Sequence, residues 1–125
     1  MRGNWMERDA IARVDARITR LGVAVEPDGG EAELEGVLNP ASARTRDGKL
    51  LLYPRAVSRG NVSRISILEA TETAAGPTFR RAGFALEPLE PYEFRDVPGG
   101  FGCEDPRITF VPLLDRYVMA YTAFG

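Results

Sequence analysis

Two carboxylates and one guanidinium are crowded into four residues at Glu104-Asp105-Pro106-Arg107, directly after the turn-forming run Gly99-Gly100-Phe101-Gly102-Cys103. Carboxylates can move protons, and a guanidinium can hold an anion or a hydroxyl in place. Proline removes a ladder donor and biases Asp105 towards extended backbone, which suits the first residue of a strand facing a loop. The stretch therefore reads as an active-site strand beginning at Asp105. In such a strand Glu104 and Asp105 point to opposite faces, one towards a site and one in support, while Asp105 and Arg107 share a face. A guanidinium beside a carboxylate favours its charged form, which works against direct proton donation and calls for a relay. The plain alternative is a surface ion-pair network that fixes a turn.

The rest of the composition narrows the chemistry. The chain has 125 residues, no histidine and a single cysteine, Cys103. Ser-His-Asp and Cys-His catalysis and nearly all zinc sites are thereby excluded for these residues alone, as is an internal disulfide. No metal or organic cofactor is expected. A net charge of -2, with acids interspersed among the arginines, argues against nucleic acid as a partner. No apolar run is long enough to span a bilayer, and Met1-Arg2-Gly3-Asn4-Trp5 lacks the core of a signal peptide, so no membrane partner and a cytoplasmic location are expected. Cys103 reads as a small buried hydrophobe.

The elements that must position the motif are strands. Ile11, Val14, Ile18 and Leu21 recur at helical spacing, which allows a short amphipathic helix before Gly22, although residues 18–21 also suit a strand. Residues 1–17 are set apart as an N-terminal extension and 18–125 as the domain. Pro27-Asp28-Gly29-Gly30 is a turn. Gly36–Ala41 leads to Asp47-Gly48, a hairpin signal, and Lys49–Val57 follows as an apolar strand. Asn61–Ala70 and Thr78–Leu86 complete four strands in meander order, as in one propeller blade or half a sandwich. After the stiff connector Glu87–Pro91, Asp105–Val111 and Arg116–Phe124 begin a second unit. The pattern ends with strand edges unpaired, so the chain is expected to be the N-terminal piece of a larger protein, inactive and poorly soluble alone.

Three further polar residues stand in this frame. Asn39-Pro40 has turn chemistry at a strand end. Arg55 follows an apolar strand, where arginines are rarely buried without a partner; Arg64 can instead snorkel to the surface. The Tyr117/Met119/Tyr121 face reads as packing, and the glycine run, with no helix after it, does not fit a nucleotide loop.

Taken together, Gly36-Val37-Leu38-Asn39-Pro40-Ala41, Leu51-Leu52-Tyr53-Pro54-Arg55, Asn61-Val62-Ser63-Arg64-Ile65, Gly102–Thr109 and Tyr117–Ala123 stand in an order and spacing that resembles glycoside hydrolase family 130, the β-mannoside phosphorylases and related glycosidases. The resemblance covers roughly residues 18 to 125 and departs at Pro54, where many members read Tyr-Arg directly. It implies an all-β fold, a five-bladed β-propeller of which this chain supplies about the first blade and the start of the second. It implies an inverting enzyme acting on a β-mannoside disaccharide or oligosaccharide, with inorganic phosphate as co-substrate in a phosphorylase or water in a hydrolase. Asp105 would be the proton donor, acting through a sugar hydroxyl. Asn39 and Arg55 would bind the mannosyl unit, Arg64 would lie near sugar or phosphate, and Glu104 and Arg107 would support the motif strand. A non-catalytic carbohydrate-binding propeller is the alternative; Asp105 standing together with Asn39 and Arg55 favours the enzyme. Homo-oligomerisation is left open.

Overall fold

A computed structural model describes residues 16–20 and 22–125. The helix considered for the N-terminal segment lies largely outside the described residues, as does most of the extension assigned to 1–17; residues 16–20 carry no regular secondary structure. Among the described residues every long element is a strand. These are β1 (Gly36–Arg44), β2 (Leu50–Ser58), β3 (Val62–Thr71), β4 (Thr78–Leu86), β5 (Phe101–Val111) and β6 (Arg116–Phe124), with short 3-10 turns at Glu31–Glu33, Pro91–Glu93 and Pro112–Leu114. No helix among the described residues is long and apolar enough to cross a membrane.

The strands form one six-stranded sheet. β1 to β4 pair antiparallel in succession, as their short turns require. The β1–β2 turn closes at Asp47-Gly48, with Gly48 N–H donating to the Thr45 carbonyl. β3 then divides its second edge. Its C-terminal part pairs with β4, while Val62 and Ser63 pair in parallel with Phe101 and Gly102 of β5, which carries β6 as an antiparallel neighbour. The connection that returns the chain from β4 to β5 is pinned by Glu93. Its buried carboxylate accepts 2.8 Å hydrogen bonds from the Leu89 and Glu90 amides, a 3.4 Å contact from the Cys103 thiol, and the Tyr121 hydroxyl. One side chain thus ties the connector to both β5 and β6.

The core is narrow and lies around β2 and β3, with Ala56, Val57, Ile65, Leu68 and Ala70 buried beside Cys103. Pro54 and Pro106 are also fully buried. Leu89, Leu113 and Leu114 are exposed, together with Phe110, Tyr117 and Val118 along β5 and β6.

Glu93 gives the fold a defined acid limit. The Tyr121 hydroxyl above all, then the two amides, hold its carboxyl at about 2, down from 4.5. A folded-state value below the unfolded one contributes stability that is complete above the unfolded value and is lost as pH falls through it towards the folded one. Thermal midpoints should therefore drop between about pH 5 and pH 2 in the native chain. Glu93→Gln should lower the midpoint at pH 7 and flatten that part of the profile; an unchanged slope would remove Glu93 from the account. The same carboxylate and, first, burial push the Cys103 thiol up to about 12, which makes it an unreactive packing residue at neutral pH.

A candidate active site at two strand bulges

Two Asx-Pro dipeptides carry the site. In the β1–β2 ladder the register shifts between Leu38 and Ala41, so Asn39 and Pro40 stand opposite Pro54 alone. In the β5–β6 ladder it shifts between Glu104 and Arg107, so Asp105 and Pro106 stand opposite Tyr121 alone. Proline fits a bulge because the ladder has already lost a donor there. Asn39 and Asp105 are both left-handed, each with φ 47°. That conformation is uncommon for residues with a side chain, least so for Asn and Asp, and a following proline restricts it further. Such backbone persists where its surroundings over-determine it, and it concentrates at functional sites. Here the fully buried rings of Pro54 and Pro106 supply part of that constraint.

The two bulges meet. Asn39 Nδ2 donates to Asp105 Oδ1 at 2.7 Å across 66 residues of sequence. Arg55 lies beneath them and is largely buried, like its partner Glu104. Its Nη2 donates to Glu104 Oε1 at 2.7 Å and to Asn61 Oδ1 at 3.1 Å, and its Nε donates to Ser63 Oγ at 2.9 Å. Ser63 in turn donates to Glu104 Oε1 at 3.2 Å. Arg55 Nη1 stands 3.7 Å from Asp105 Oδ1, and among the described residues it donates no hydrogen bond. Asp105 keeps 40% of its side chain open to solvent, against 13% for Arg55 and Glu104. The accessible carboxylate is therefore Asp105; Glu104 is committed to Arg55 and Ser63.

Glycine brings the motif strand to this position. A side chain at Gly102 would overlap the Ser63 backbone, and one at Gly100 would overlap Asn61. Only bare backbone lets β5 approach β3 closely enough for Glu104 to reach Arg55. The turn between β2 and β3 is fixed from the other side by Glu35, whose carboxylate accepts from the Gly60 and Asn61 amides at 2.8 and 3.0 Å.

Several sequence expectations change. The motif does not begin its strand: β5 starts at Phe101, and Asp105 sits inside it at a bulge. Because the bulge interrupts the alternation of faces, Glu104 and Asp105 do not diverge but meet the same guanidinium. That guanidinium is Arg55, not Arg107. Arg107 is exposed and donates to its neighbour's carbonyl, Pro106 O, at 2.8 Å. The structure brings Asn39, Arg55, Glu104 and Asp105 together and leaves Arg64 apart. Arg64 pairs in register with Ala56, on the sheet face opposite Arg55, and donates to Glu87 and Ser58, each at 3.1 Å. Asn61 and Ser63 are the site residues that the sequence reading did not single out. Asn61 closes the β2–β3 turn just before β3 and Ser63 stands on β3 diagonal to Arg55, which pairs with Ile65; this spacing around Val62 was the available signal.

Among the described residues no group of acidic or cysteine side chains is arranged to hold a metal ion. The arrangement offers instead one accessible carboxylate, an amide donor on it, and a fixed cationic edge beside it. Comparisons with protein-family models, with curated proteins and with solved structures give no match for this chain.

Proposed function

We propose that the chain carries the sugar-binding and proton-donating part of an inverting carbohydrate-active enzyme that cleaves β-mannosides. The observation that carries this reading is the 2.7 Å contact between Asn39 and Asp105, made by two strained Asx-Pro bulges over a buried arginine. A strand needs no such pair to fold, whereas a site that must aim an amide, a carboxylate and a guanidinium at one polyhydroxylated ring does. The similarity of the motif series to glycoside hydrolase family 130 supports the substrate class. In that reading β1–β4 are one blade of a five-bladed propeller, β5 and β6 open the next, and β1 and β5 line the axis.

In the proposed reaction Asp105 donates its proton through a sugar hydroxyl to the glycosidic oxygen. The C1–O bond breaks and the aglycone leaves as its alcohol, while an oxygen of phosphate, or of a water that gives up a proton to solvent, bonds to C1 from the opposite face. Inversion separates the acid from the nucleophile's route. That suits a site in which the second carboxylate, Glu104, is already held by Arg55 and Ser63. The polar Asn39 amide and the Arg55 edge orient the ring.

The test is release of mannose 1-phosphate from β-mannosides by the full-length protein, with and without inorganic phosphate. Phosphate-dependent release is the expected result and defines a phosphorylase; mannose without phosphate defines a hydrolase of the same site. Sugar binding with no turnover on any β-mannoside would replace the enzyme reading with a non-catalytic carbohydrate-binding one.

A further inference from the structure

The Arg55 guanidinium is held by more partners than charge neutralisation needs. Glu104 alone would pair it, yet Ser63 takes Nε, and Asn61 shares Nη2 with Glu104. The three acceptors occupy one edge of the planar group and leave the Nη1 edge turned to Asp105 at 3.7 Å, beyond hydrogen-bond distance. A guanidinium free to turn would close a two-pronged pair with the exposed carboxylate of Asp105, since that geometry is favourable for both groups. Asn61 is itself over-determined. It sits in the left-handed conformation with φ 58°, its backbone N–H is held by Glu35, and its Nδ2 donates to Gly99 O at 2.9 Å. It therefore joins Arg55, the β2–β3 turn and the glycine run ahead of the motif.

We propose that Asn61 and Ser63 are positioning residues that lock the Arg55 guanidinium, so that its Nη1 edge is a fixed donor beside Asp105 and Asp105 remains available to substrate. The lock is read without a substrate; only the identity of what the donor meets, a sugar hydroxyl or a phosphate oxygen, rests on the carbohydrate reading above.

Two substitutions at one position separate this role from a structural one. Asn61→Gly keeps the left-handed turn and removes the acceptor. Asn61→Asp keeps an acceptor for Arg55 and loses the donor to Gly99. A residue that serves only the turn tolerates glycine; one that serves only the Gly99 tether suffers from aspartate; one that locks Arg55 suffers from glycine and tolerates aspartate. The readout is the exchange of the Arg55 Nη resonances in side-chain NMR of the full-length protein, with the amide spectrum as the check on folding. The native chain and Asn61→Asp should show arrested rotation with separate Nη signals, and Asn61→Gly should speed exchange about tenfold, as loss of one charged hydrogen bond implies. Ser63→Ala removes the other acceptor without touching the turn and should also speed exchange. Averaged Nη signals in the native chain, or equal exchange in Asn61→Gly and the native chain, would overturn the proposal. On β-mannosides the same pattern should appear in kcat, falling in Asn61→Gly and kept in Asn61→Asp. The exchange pattern without turnover in any form would sustain the lock and count against the carbohydrate reading.

Discussion

Under the proposed carbohydrate reading, Asp105→Asn is expected to lower turnover on β-mannosides by about 10²- to 10⁴-fold, the usual contribution of a positioned proton donor, while sugar binding and thermal midpoint stay close to native. The substitution is unusually clean here. Asparagine tolerates the left-handed backbone that residue 105 adopts, so the bulge is preserved. An asparagine carbonyl can still accept from Asn39 Nδ2, where Asp105 Oδ1 now does at 2.7 Å. The charge contact with Arg55 is lost, but at 3.7 Å on a half-open side chain it contributes little to stability. What the substitution removes, in the proposed mechanism, is the group that donates the proton. Steady-state kinetics with isothermal titration of the sugar would separate the two effects. A variant that retains more than about a tenth of native kcat would exclude Asp105 as the donor.

How much of this was legible in the sequence depends on the length scale of the signal. The six strands were readable, because Asp47-Gly48, the breaks at Gly76-Pro77 and the alternation in Val62–Leu68 are local patterns. The motif Glu104-Asp105-Pro106-Arg107 was readable as a concentration of charge, but its geometry was not. Strict alternation assigned Arg107 to Asp105, and one extra residue in the ladder gave Asp105 to Arg55 instead. A bulge is a relation between two strands, so no single stretch encodes it. Its trace in the sequence was a repetition: Leu38-Asn39-Pro40 in β1 and Glu104-Asp105-Pro106 in β5 are the two places where Asx precedes proline. The separation of Arg64 from Arg55 was accessible from period-two faces once the β2–β3 register was known. The locking set around Arg55 was not, since Asn61, Ser63 and Glu104 reach it from three different distances along the chain.

The glycines make the strongest claim on stability, and Gly102→Ala should be among the most damaging single changes in the chain. Residue 102 has φ +124°, and an added Cβ would run into the backbone of Ser63, which cannot rotate away as a side chain tip could. Backbone strain and overpacking together predict a loss on the order of 3 kcal/mol or more, read from the chemical denaturation midpoint. Gly83→Ala is the matched control: φ is +111° and nothing lies within 4 Å of the added carbon, so it carries the conformational cost without the collision. The difference between the two variants isolates the close approach of β5 to β3. It also joins stability to function, because β5 displaced from Ser63 takes Glu104 away from Arg55 and Asp105 away from Asn39. Under the proposed carbohydrate reading, whatever fraction of Gly102→Ala still folds should therefore bind sugar weakly, whereas Gly83→Ala should bind it normally. Equal midpoints for the two variants would mean that the parallel contact between β3 and β5 does not hold the motif strand, and the site would then need another account of how its two bulges meet.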